Sequence, residues 1–207
     1  GPSRIAQADL LLAKCLYHLR FYRTALALFD EITQRGQAHR YFEQALPWLA
    51  QLATQLPESA GIVEQVGRYR ADLVEALDHP ETAAIHDQLL YLSGRHAYAD
   101  GDLEVAIDRF SRVRRGSEYF AQARFLEGVT HVRMRRARPA IDAFRSVLAA
   151  AEAGEVAQPE RMRDLAWLSL ARVYYTAANR TDDAGQRSLD QTLLANAIEA
   201  WDRVDPS

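Results

Sequence analysis

Few residues in this chain are placed to do covalent or proton-transfer chemistry. Cys15 is the only cysteine, so neither a disulfide framework nor a multi-cysteine metal site can form within the chain. It sits among Leu12, Ala13 and Leu16, where a buried, inert thiol is expected. The histidines are His18, His39, His79, His86, His96 and His131, and none forms the i, i+4 pair that holds zinc on a helix. His96 and Asp100 have that spacing, but Asp100 is expected in a turn. Asp182 and Asp183 lie in a polar stretch with Asn179 and Thr181, without the surrounding pattern of a calcium loop. No nucleophile stands beside a base, and no glycine-rich segment could cradle a phosphate. The expectation is a chain that is not an enzyme, with no cofactor and no metal.

What does recur is a cation followed by a tyrosine. Lys14 and Tyr17, Arg95 and Tyr98, and Arg172 and Tyr175 are each three residues apart, which puts both side chains on one helical face. Each cation directly follows a small residue, Ala13, Gly94 or Ala171. Arginine and tyrosine are favoured where proteins meet other proteins. Arginines also cluster at 112, 114 and 115, and at 133, 135, 136 and 138. The first cluster falls at a link between helix pairs and the second at a turn within one. Such turns lie on opposite edges of a helical layer, roughly 20 Å apart for a helix of about 14 residues. They do not form one patch, and cations suit helix C-termini, so no nucleic-acid partner is expected.

The elements that carry these residues repeat. Gly94 and Gly128 are 34 residues apart, as are Ala106 and Ala140, Phe110 and Phe144, and Val113 and Val147. Gly94 to Ala106, Gly128 to Ala140 and Ala13 to Ala25 are each 12 residues. A small residue on the first helix of a pair lets the second approach, and an aromatic four residues after the second small residue fills the gap to the next pair. Pro159 opens one first-helix, Gly101 suits a left-handed stop, Asp102 can cap the next helix, and Pro80 suits a first turn. Ser188 and Gln191 have a capping-box spacing. No run alternates with period two between turn signals, so no strands are predicted.

The 34-residue period and these slots resemble the tetratricopeptide (TPR) family. The resemblance is most specific over residues 88–152, good over about 8–36, and recognisable from Asp164, where Trp167, Leu170, Ala171 and Tyr174 are followed by Ala197, Ile198 and Trp201. It implies an all-α fold, a right-handed superhelical stack of about five antiparallel helix pairs. The units are expected at about 8–36, 38–78, 80–115, 117–152 and 159–204, in one repeat domain spanning 4–207. Residues 1–3, Gly-Pro-Ser, read as a tag scar. The second unit is irregular, with a long helix expected over 38–56, a break at Pro57 and another helix over 59–77. The last carries extra residues between its helices, at 177–190.

The resemblance also implies that first helices line a concave groove. Carried over slot by slot, that groove is expected to contain Lys14, Tyr17, Tyr91, Arg95, Tyr98, Phe125, Val129, Val132, Arg172 and Tyr175. The other reading gives the tyrosines to the repeat's own packing. The paired Lys and Asn of chaperone-binding TPR grooves are not matched, since the corresponding slots hold Leu10 and Lys14.

Of 207 residues, 48% are apolar and 26% charged, enough for a substantial core, and the formal net charge is −3, which does not favour a general nucleic-acid or anionic-membrane binder. No apolar run approaches the roughly 18 residues of a membrane span. Lys14 is the only lysine among 25 basic residues, a bias that suggests a GC-rich bacterial gene. A polar capping helix is expected at the end of a repeat array, and none is visible, which reads as part of a longer protein. The expected function is a protein–protein interaction scaffold or adaptor holding a partner protein or peptide in a bacterial assembly, in the cell envelope rather than the cytoplasm. The alternative is a ligand- or peptide-sensing helical domain of a cytoplasmic regulator.

Overall fold

The computed structural model describes residues 2–36, 39–56, 83–181 and 187–204. The chain forms two compact units, Gly1–Ala99 and Asp100–Ser207. The boundary falls inside the stretch 80–115, at the end of one helix.

In the first unit the helices are α1 (Pro2–His18), α2 (Tyr22–Gln34), α3 (Phe42–Gln55) and α4 (Ala83–Asp100). A three-residue turn joins α1 to α2. Phe21 N–H donates to the Leu16 carbonyl and Arg20 N–H to the Tyr17 carbonyl, each at 2.9 Å. These bonds cap the last carbonyls of α1 and put Arg20 in the left-handed region, at φ 64°. The core interleaves Leu10 and Ala13 of α1, Ala25 and Phe29 of α2, Leu46 and Leu49 of α3, and Leu89 and Leu92 of α4. The long helix expected over 38–56 is shorter, because residues 39–41 form turns that lead into α3. The helix expected over 59–77, and the positions of Pro57 and Pro80, lie outside the described residues.

The second unit contains α5 (Leu103–Arg112), α6 (Phe120–Arg133), α7 (Ala137–Glu152), α8 (Pro159–Ala178) and α9 (Gln191–Asp202). Each packs on the next in sequence, and α8 also touches α6. Its core joins Ala140, Phe144 and Val147 of α7 to Ala166, Leu170 and Tyr174 of α8, and to Ala197 and Ala200 of α9. The α6–α7 turn repeats the α1–α2 turn. Arg136 N–H donates to the His131 carbonyl and Arg135 N–H to the Val132 carbonyl, each at 2.9 Å, with Arg135 at φ 58°. Gly101, at φ 91°, takes the left-handed position between α4 and α5.

Gly128 shows why the small slot is small. A Cβ built there would lie 2.6 Å from the Phe144 ring, closer than any packed carbon. The aromatic of the second helix therefore rests directly on the backbone of the first.

Three expectations are corrected. The chain is not free of strands: β1 (Asn179–Thr181) and β2 (Arg187–Leu189) pair antiparallel, Asn179 opposite Leu189 and Thr181 opposite Arg187. They lie in the segment inserted between α8 and α9, whose ends must return to one place. Asp190 N–H closes it by donating to the Ala178 carbonyl at 2.9 Å, and the ladder gives backbone groups partners that a bare loop would leave to water. Strands three residues long are too short to show alternation. Second, α9 is capped by Asp190, not Ser188, with its carboxylate accepting from the N–H groups of Thr192 and Leu193 at 3.0 and 3.1 Å. Third, Cys15 is exposed rather than buried, because α1 is apolar on two faces and only one packs into the core. Asp182 and Asp183 lie outside the described residues.

Candidate functional site

The cation–tyrosine pairs meet three different fates. In the first unit, Lys14 and Tyr17 converge on Trp48 of α3. The Lys14 ammonium is 5.4 Å from the Trp48 ring centroid, and the Tyr17 ring meets Trp48 edge-on at 5.2 Å. Trp48 in turn stacks on Phe29, centroids 5.8 Å apart and planes at 7°. His18 and Tyr22 complete this cluster around Tyr17. On α4, the Arg95 guanidinium lies 5.7 Å from the ring of Tyr91, one turn back. Tyr91 packs against the core, and Tyr98 is half-buried.

In the second unit the row divides again. Phe125 and Val129 pack against the core, with the Phe125 and Phe144 rings 5.6 Å apart. Val132, Arg172 and Tyr175 are exposed. Thus Val132 and Arg172, on α6 and α8, line one cavity of about 470 Å3 with Arg135, Ala137 and Thr176. Arg172 and Tyr175 also line a second of about 500 Å3, between α8 and α9, with Leu168, Leu194, Ile198 and Trp201. Among the described residues Arg172 is the only charged one lining this second groove. Among the described residues its guanidinium has no hydrogen-bond or ion-pair partner.

Other charged groups of the second unit hold its helices together. The Arg136 guanidinium donates twice to the Glu104 carboxylate, tying the α6–α7 turn to the start of α5. That hydrogen bonding holds Glu104 below the usual carboxylate range and raises Arg136. Arg124 bridges Glu127, at 2.6 Å, and the Ser111 carbonyl of α5, at 2.7 Å. Arg115 pairs with Glu155 at 2.9 Å. His131 is held below its ordinary pKa mainly by burial; Arg136 adds to the depression, and Glu127 and Glu104 oppose it.

Among the described residues no group of three or more His, Cys, Asp or Glu could hold a metal, and no helix is long and apolar enough to cross a membrane. The sequence did not point to Trp48 as the residue that absorbs the first pair, because α3 shares no repeat offset with its neighbours. Nor did it distinguish Trp201 from the buried aromatics in the same slot. No protein-family model and no curated protein matches this chain in sequence.

Proposed function

We propose that this chain is a non-catalytic interaction scaffold of the TPR type, a right-handed superhelical stack of helix pairs that holds a partner protein or peptide. The 34-residue spacing supports it, as does the seating of Phe144 on Gly128. The observation that carries the binding reading is the α6–α8 cavity. It brings Val132 and Arg172, on successive first-helices, to one concavity with apolar walls and arginines at its rim. That chemistry suits an acidic, partly apolar peptide. Val132 and Arg172 line this cavity and would contact the peptide, and Tyr175, exposed on α8, lines the adjoining α8–α9 groove; Lys14, Tyr17, Phe125 and Val129 pack within the fold instead. The scaffold reading places the chain in a bacterial multi-protein assembly.

The test is fluorescence polarisation of the whole chain against a library of acidic, neutral and basic peptides. Acidic members bind preferentially, and Arg172→Glu weakens them about tenfold, or about 1.4 kcal/mol. Equal affinity for acidic and basic peptides, or an unaffected Arg172→Glu variant, sinks the reading.

A further inference from the structure

One slot of the repeat is filled four times and covered three times. Phe29, Phe110, Phe144 and Trp201 each lie four residues after the small residue of a second helix, Ala25, Ala106, Ala140 or Ala197. The three phenylalanines are 0, 0 and 1% exposed, whereas Trp201 is 62% exposed. Its neighbours follow suit. On α6 and α7, Phe125, Ala137 and Ile141 pack into the core that α8 completes. Their counterparts on α8 and α9, Leu168, Leu194 and Ile198, line the open groove of about 500 Å3. The molecule thus shows what covers this kind of surface: a helix laid along the pair, as α8 lies on α6 and α7.

The chain carries a helix with a matching unpartnered face. Ile5 and Leu12 on α1, and Leu19 directly after its end, recur every seven residues and are 64, 51 and 66% exposed. Ala8 and Cys15, also exposed, fall between them, giving the seam spacing of one helix packing on another. The opposite face of α1 buries Leu10 and Ala13 in the first core. The single carboxylate of α1, Asp9, borders the exposed seam beside Ile5 and Leu12, and the groove presents the cation of Arg172. The Asp9 carboxylate and the Arg172 guanidinium are therefore the complementary charges of the two surfaces.

We propose that the α8–α9 groove binds α1 of a second copy of this chain. The two surfaces differ, so the contact is heterologous, the seam of one copy in the groove of the next. One helix in one groove is a small interface, so assembly depends on concentration. The inference goes beyond peptide binding at the α6–α8 cavity and uses the adjoining groove, which shares Arg172 with that cavity.

Sedimentation velocity over a concentration series, with complementary variants, tests it. Wild type forms dimers and larger species as concentration rises. Leu12→Glu, which spoils the seam, and Trp201→Glu, which spoils the groove, are each monomeric with unchanged helical circular dichroism, since both sites are exposed. Mixed, they form a dimer and nothing larger, because one good seam meets one good groove. Cys15 supplies a second readout. Ile198→Cys oxidises to a ladder of disulfide-linked multimers, and adding Cys15→Ser abolishes it. Wild type that stays monomeric at all concentrations, mixed variants that stay apart, or a Cys15–Cys15 dimer without a ladder overturns the proposal. Val132→Glu separates the two readings: it lowers peptide binding and leaves self-association intact.

Discussion

Gly128 and the Phe144 ring are in direct contact, and filling that contact has two opposing effects. Replacing Gly128 by alanine favours the helix by about 1 kcal/mol. The new methyl must also displace a fully buried ring, and overpacking costs about 1–3 kcal/mol. The clash wins, so Gly128→Ala lowers stability by about 1 kcal/mol in chemical denaturation. Phe144→Leu in the same chain relieves the overlap, and the double-mutant cycle shows coupling of about 1 kcal/mol. Additive losses would show that the ring moves aside freely. This contact was legible from sequence because helix approach imposes a size limit at a fixed spacing. The exposure of Cys15 was not, because Leu10, Leu11, Leu12 and Leu16 make two faces of α1 apolar and periodicity alone does not choose between them.

His131 supplies a pH dependence at the same scale. Burial holds its folded pKa below the ordinary 6.5, so the unfolded chain takes up the proton first as pH falls. Stability is then full above about pH 6.5 and declines through the window between that value and the lower folded one. His131→Gln flattens the decline, as read from denaturation midpoints between pH 7 and pH 5. An equal decline in the variant would assign it to other groups.

Among the elements, α8 and α9 differ from their neighbours in how they are joined. The insertion pays for its length by pairing β1 with β2 and by placing Asp190 at the start of α9. Asp190→Ala removes two hydrogen bonds to the Thr192 and Leu193 amides and costs about 1 kcal/mol. Asp190→Asn keeps an acceptor there and restores most of it, both measured by thermal unfolding. The sequence placed the insertion correctly but missed both the strands and the cap. Three-residue strands carry no pattern, and Ser188 matches a capping box two positions too early. In contrast, Pro159 begins α8 as expected, because its missing N–H is spare in a first turn.

At the scale of the whole molecule, the helical character of the described residues, apart from one hairpin, was legible from the 34-residue offsets. The division at Ala99 was not. Repeat spacing runs across it without a change in residue type, and compactness depends on which helices touch. Exposure was equally hidden. Phe144 and Trp201 occupy the same slot in sequence, and only the helix lying over the first distinguishes them. The same holds for the cations, since Lys14 is bound to Trp48 and Arg172 is not bound among the described residues.

The three tryptophans consequently make the protein its own optical probe. Trp48 is stacked on Phe29 beneath Lys14, and Trp167 is half-buried under the Arg203 guanidinium. Trp201 alone of the three faces solvent. Intrinsic emission should therefore resolve into a blue-shifted pair shielded from acrylamide and one red-shifted, quenchable indole that Trp201→Phe deletes. Anything seated between α8 and α9 must shift that third component to the blue and protect it. Loading of the groove can then be followed in unlabelled protein, with no dye to disturb it.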